Sequence, residues 1–372
     1  VTKILSVFGT RPEAIKMAPV VRAIEAAPGL ESRVCSTGQH RVMLEQALAL
    51  FDVRVDHDLE VMQPGQRLAD TTAAILVGLD RLFERERPDR VIVQGDTNTT
   101  FTASLAAYYH KIPVAHVEAG LRTGDIYAPW PEEVNRKLAS AIVDLHFAPT
   151  ERARRNLERE GVDPGRIVVT GNTVIDALLG LVERMEREPG FAAGARERFA
   201  FLDPGRRLVL VTGHRRENFA GGLERVFEAL ARLADRSDLE IVYPVHLNPV
   251  VQAAARDVLA GRPWVHLIEP LEYLPFVHLM QRATLIITDS GGVQEEAPSL
   301  GKPVLVTRDV TERPEAVEAG TVLLVGTDTE RIVKEAERLL DDETAYRAMS
   351  FAHNPYGDGR ACERIARELQ QR

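Results

Sequence analysis

At 372 residues, 45% hydrophobic and 27% charged, the chain is ordinary globular material and long enough for two domains with full cores. A formal charge of −9 without any basic run argues against nucleic acid or a membrane surface as partner. Two distant cysteines, Cys35 and Cys362, offer neither a disulfide framework nor a zinc site and fit a reducing cytoplasm, and no segment approaches the ~20 apolar residues of a membrane span.

In chain order, Ile4 to Phe8 reads as a buried strand, followed by the turn Gly9-Thr10-Arg11-Pro12 and a helix from about Glu13 to Ala27. A strand near Arg33 to Thr37 leads through Gly38-Gln39-His40 into a helix ending at Leu50, and a long helix is expected from about Gln66 to Arg85. Arg90 to Gln94 is the next strand, then the turn Gly95-Asp96-Thr97, a helix to Tyr109 and the strand Val114 to Val117. An irregular stretch from Glu118 to Pro131 precedes a helix from Glu132 to Ile142, and Leu145 to Ala148 and Ile167 to Val169 add strands. The second half repeats the alternation, with strands near Leu208, Ile241, Val265, Leu285, Val304 and Val322. Such alternation calls for parallel sheets covered by helices, with ligands outside the carboxyl ends of the strands. The expected domains are 1–172, completed by 358–372, and 173–357, two doubly wound Rossmann-like halves facing a central cleft.

The turns that end these strands carry the chemistry. TDSGGVQEE, at the end of the strand near Leu285, places Ser290, Gly291 and Gly292 at a helix start, where free N–H groups and the helix dipole suit a phosphate. Glu295 and Glu296 follow, and an ionised carboxylate accepts hydrogen bonds from both hydroxyls of a ribose. A plain tight turn with acids favouring a helix start is the competing reading. Arg11 and Lys16 could supply positive charge to a diphosphate. Asp96, Glu118 and Glu132 bring three carboxylates to one edge of one sheet; singly each reads as a cap or ion-pair partner, jointly as proton-transfer groups. His214, beside Arg215 and Arg216, suits phosphate binding or leaving-group protonation. There is no G-x-G-x-x-G after a strand, no P-loop, no H-x-x-x-H pair and no G-x-S-x-G, so no nicotinamide cofactor, metal or serine nucleophile is expected.

The segments GTRPEAIKMAP, TGQHR, QGDTNTT, HVEAGLRTGD, PWPEEVNR, TGHRREN and DSGGVQEEAPSLGKPVLVTRDVTERPE together resemble the non-hydrolysing UDP-N-acetylglucosamine 2-epimerases. The resemblance runs from about residue 3 to the C-terminus. It implies a GT-B fold whose last helix, about Arg360 to Gln370, returns to the first domain. It also implies a cytoplasmic homodimer that interconverts UDP-N-acetylglucosamine and UDP-N-acetylmannosamine without a cofactor, supplying a precursor of cell-surface polysaccharide. By the same resemblance Arg11, Lys16, Asp96, Glu118, His214, Phe276, Ser290, Gly291, Gly292, Glu296 and Arg313 contact the nucleotide sugar, and Asp96, Glu118, Glu132 and His214 are the catalytic candidates.

A regulatory second substrate site is implied too, at Gln39, His40, Gln66 and His246, although Val42 and Gly65 stand where the family has Gln and Arg. Gln94 in place of His, Asn98 in place of Thr, and Leu271 where some members have Gln are smaller departures. A GT-B glycosyltransferase, a hydrolysing epimerase and a nucleotide-sugar sensor are the rival readings.

Overall fold

The structure, a computed structural model, describes residues 1–38, 41–63, 65–213 and 221–372, residues 41–43 by their backbone alone. The chain forms two compact units, Val1–Ala177 with Tyr356–Arg372, and Leu178–Pro355. The helix Thr173–Arg187 runs unbroken through the division between Ala177 and Leu178.

The first unit holds a parallel sheet of β1 (Thr2–Phe8), β2 (Leu30–Ser36), β3 (His57–Asp58), β4 (Arg90–Gln94), β5 (Val114–Val117), β6 (Leu145–Ala148) and β7 (Ile167–Val169), in the order β3-β2-β1-β4-β5-β6-β7. All of β4, β5 and β6 is buried, as expected for strands covered on both faces. The chain winds outward from β1 to β3 and then returns to the other side of β1. The crevice beyond the carboxyl ends of β1 and β4 is therefore the topological switch point, where open α/β sheets take their ligands. Leu5, Val7, Ile75, Leu79, Phe83, Val91 and Val93 form the core on one side of this sheet.

The first helix, Arg11–Ala26, begins two residues earlier than the sequence reading placed it. Thr10 accepts from the Glu13 backbone N–H while the Glu13 carboxylate accepts from the Thr10 N–H, a capping box that fixes the start of the helix. Pro12 fits the first turn because no intrahelical bond is asked of its nitrogen there. The C-terminal helix Ala361–Gln371 belongs to this unit. Asp176 accepts from the N–H groups of Ala361 and Cys362 at 3.2 and 2.8 Å, and Gln370 donates to the Pro28 carbonyl at 2.9 Å.

The second unit has β8 (Arg207–Thr212), β9 (Leu239–Pro244), β10 (Val265–Ile268), β11 (Leu285–Thr288), β12 (Val304–Val306) and β13 (Val322–Leu324), again parallel, in the order β10-β9-β8-β11-β12-β13. Its switch point lies between β8 and β11, with Thr212 opposite Thr288. The helix after β11 is short: Gly291–Glu296 gives way to a tight 3₁₀ turn, Ala297–Leu300, where Pro298 has no N–H to continue the α pattern. Among the described residues no helix is long and apolar enough to cross a membrane.

Candidate active site

The carboxyl ends of β1, β4 and β5 are tied together by buried polar groups. Glu13 is 2% exposed, and its carboxylate accepts from the N–H groups of Gly9 and Thr10 and from the Thr97 hydroxyl at 2.6 Å, pinning the turn after β1 to the turn after β4. Burial raises its pKa, and the hydrogen bonds from Thr97, Gly9 and Thr10 oppose that rise. Sequence reading did not single out Glu13; the T-x-x-E spacing of a capping box was the available signal.

Glu118 directly follows β5 with φ +61°, a left-handed backbone that costs a non-glycine residue free energy. Its side chain is 6% exposed and receives the Lys16 ammonium, and the amide of Gln94 donates to the same oxygen at 2.9 Å. Lys16, expected as a diphosphate contact, is thus a partner of Glu118. Two residues on, Gly120 has φ +91°, and a Cβ there would stand 2.3 Å from the Ala153 carbonyl oxygen, so HVEAG admits only glycine at its end.

Asp96 accepts from Arg136 Nε at 3.0 Å and Nη2 at 2.5 Å, both on Oδ2, and its carbonyl accepts from Asn135 Nδ2 at 3.0 Å. Glu132 opens the helix Glu132–Ile142 that carries both partners, and its Oε2 is buried without a hydrogen-bond partner among the described residues. An unpaired buried carboxylate oxygen is costly and marks a group kept for a ligand or a proton. Arg11 opens the first helix, half-buried, with no hydrogen bond or ion pair among the described residues.

Behind these acids, on β5 and β6, His116 and His146 sit opposite each other and are each 1% exposed. His116 Nε2 donates to the Gly95 carbonyl at 2.7 Å, since that oxygen can only accept. Burial lowers the pKa of His116 to about 4 and that of His146 to about 3, so both rings are neutral near pH 7.

In the second unit Ser290 donates its N–H to the Thr288 hydroxyl at 2.9 Å, and Thr288 shares a 2.5 Å hydrogen bond with Thr212 across β11 and β8. Gly291 and Gly292 begin the short helix, as the sequence placed them. The two acids behind them face different partners: Glu295 pairs with Arg313, and Glu296 accepts from the Tyr273 hydroxyl at 2.5 Å. Burial first, and then the Glu296 charge, raise the Tyr273 pKa well above its usual range, which keeps the phenol a donor. Phe276 lies one turn beyond Tyr273 on the helix Tyr273–Arg282, half-buried. Neither Tyr273 nor Arg136 was singled out from the sequence.

Gln66 donates no cap but accepts from the Gln63 N–H at 2.9 Å, ahead of a helix that starts at Leu68, not Gln66. His246 is exposed, and its Nδ1 accepts from the Asn248 N–H at 3.1 Å. Gln39, His40 and His214 lie outside the described residues. Among the described residues no group of three or more His, Cys, Asp or Glu side chains is arranged to hold a metal ion.

Comparison with known proteins gives one family. The model of the UDP-N-acetylglucosamine 2-epimerase family matches residues 22–370. The chain is 58% identical over 369 residues to the UDP-N-acetylglucosamine 2-epimerase of Yersinia pestis, covering 99% of this chain and 98% of that one. It is 57% identical over the same length to that of Escherichia coli strain K12, with the same coverage. The crystal structure of UDP-GlcNAc 2-epimerase from Neisseria meningitidis bound to UDP-GlcNAc superposes with a TM-score of 0.91 at 48% identity, covering the whole of both chains.

Proposed function

Because the chain belongs to the UDP-N-acetylglucosamine 2-epimerase family, we propose that it is an isomerase that interconverts UDP-N-acetylglucosamine and UDP-N-acetylmannosamine. Carbon 2 of the sugar is not next to a carbonyl, so its proton is not acidic and cannot simply be removed. Expelling UDP from carbon 1 first creates an oxocarbenium-like centre beside carbon 2, whose proton then leaves to give 2-acetamidoglucal. UDP adds back while a proton returns to the opposite face. This sequence needs two proton-transfer groups, each worth about 10² to 10⁴ in rate, and cationic or N–H donors for the departing diphosphate.

The observation that carries the reading is the state of the three acids at one sheet edge. Asp96 is held by Arg136, Glu118 by Lys16 and Gln94, and Glu132 has a buried oxygen without a partner among the described residues. Carboxylates can take up and give back a proton, and three of them supply the two proton-transfer groups that the reaction needs. Arg11, His214 and the Ser290–Gly292 turn are assigned to the diphosphate, and Glu296, with Phe276 and Arg313, to the nucleoside. The test is incubation with UDP-N-acetylglucosamine alone, followed by proton NMR. Accumulation of UDP-N-acetylmannosamine to a constant ratio supports the proposal; release of UDP with free N-acetylmannosamine, or unchanged ligand, contradicts it.

The proposal extends to a cytoplasmic homodimer and to regulation by substrate at Gln39, His40, Gln66 and His246. An activator that favours one conformation by differential binding would give reverse-reaction progress curves an initial lag, abolished by traces of UDP-N-acetylglucosamine. A lag-free curve from highly purified UDP-N-acetylmannosamine, unaffected by Gln39→Ala or His246→Ala, removes the second site.

A further inference from the structure

We infer that Arg136 is a positioning residue that fixes Asp96 for proton transfer, an inference that rests on the epimerase reading above. The guanidinium places two donors, Nε and Nη2, on Oδ2 of Asp96, and Oδ1 has no hydrogen bond among the described residues. One oxygen is thereby anchored and the other is left to meet a substrate hydrogen. The side chain of Arg136 is 13% exposed and that of Asp96 29%, so the cation lies on the protein side of the acid.

Arg136 is itself held. Its Nη1 donates to Glu133 at 3.0 Å, and Glu133, with a fully buried side chain, also accepts from the N–H groups of Thr123 and Gly124, each at 3.1 Å. The backbone around Asp96 is braced from the same helix by Asn135 and from β5 by His116, which donates to the Gly95 carbonyl, while the Gly95 N–H donates to the Val117 carbonyl. Asn135 and Arg136 lie three and four residues after Glu132, so a single helix turn sets the spacing between two of the proposed proton-transfer acids. A guanidinium is suited to this task because it never releases a proton near neutral pH and its planar fork fixes direction as well as charge. A lysine would supply the charge without the fork.

The experiment compares the parent with Arg136→Met and Arg136→Lys, using UDP-N-acetylglucosamine and proton NMR. Arg136→Met is expected to lower kcat by about 10²-fold or more, the loss that follows from misplacing a reacting group by about 1 Å, with KM changed by less than about threefold. Arg136→Lys recovers part of kcat, and added guanidinium ion recovers part of the Arg136→Met rate.

A folded Arg136→Met protein, with parental circular dichroism and melting temperature, that kept the parental kcat would overturn the inference. Loss of kcat with no recovery by lysine or guanidinium would equally reduce Arg136 to a structural role. Should the parent fail to epimerise at all, the functional reading fails separately. The crystal structure of Arg136→Met then decides the positioning claim, which stands if the Asp96 carboxylate leaves its place and falls if it stays.

Discussion

The two units are built on the same plan and equipped in opposite ways. Each has a parallel sheet with a switch point, between β1 and β4 in the first unit and between β8 and β11 in the second. At the first, three carboxylates are managed separately: one on a guanidinium, one on an ammonium and an amide, one with an oxygen unpaired among the described residues. At the second, the turn is made of Ser290, Gly291 and Gly292, and the acids behind it are held by Arg313 and by a phenol kept protonated by burial. The first arrangement prepares charges for change, and the second offers fixed donors and acceptors. Substitutions in the first should therefore act on turnover and those in the second on affinity.

The largest effects should come from the acids of the first unit. Asp96→Asn, Glu118→Gln and Glu132→Gln are each expected to lower kcat by about 10²-fold or more, the lower end for losing a general acid or base. Near-normal kcat in Glu132→Gln would erase the distinction between the paired and unpaired acids. In the second unit, Tyr273→Phe is expected to raise KM by about tenfold, the scale of one hydrogen bond to a charged group, and to change kcat by less than about threefold. A fall in kcat as large as that of the acids would show that this unit also takes part in the chemistry.

Stability separates the units more gently. A methyl group at position 120 would meet the Ala153 carbonyl in a backbone that side chains rarely adopt, so Gly120→Ala should destabilise the first unit by about 1–3 kcal/mol in denaturant unfolding. Acid should also act on this unit. His116 and His146 are neutral when folded down to about pH 4 and about pH 3, whereas the unfolded chain takes up their protons below about pH 6.5. Their contribution is complete above pH ~6.5 and declines as pH falls toward those folded values, by up to about 1.4 kcal/mol per pH unit for each ring. Hydrogen exchange followed by unit should show the first loosening between pH 6 and 4, and His146→Leu should flatten that slope. An unchanged slope in the variant would mean that the buried pair does not control it.

Much of this was legible because apolar runs and turn residues are local signals. Ile4 to Phe8, Arg90 to Gln94 and Leu285 to Thr288 declared themselves as buried strands, and the residues that end them, Arg11, Asp96 and Ser290, followed from topology. Side-chain partners were not legible, because they are set by tertiary contact. Nothing local in the sequence shows that Lys16 meets Glu118, 102 residues away, or that Arg136 meets Asp96 across 40 residues. The two-residue strand His57–Asp58 was missed because it is too short to show a period. The helix Thr173–Arg187 buries Ile175, Leu178 and Leu181 on one face, apolar positions at helical spacing.

The central claim is that the first unit removes and returns a proton at carbon 2. Its most direct test is turnover of UDP-N-acetylglucosamine alone in deuterated water, with the product read by NMR and mass. The account predicts UDP-N-acetylmannosamine carrying one deuterium at carbon 2, with Glu132→Gln slowing that incorporation by about 10²-fold or more. Complete epimerisation with the original hydrogen retained at carbon 2 would contradict it.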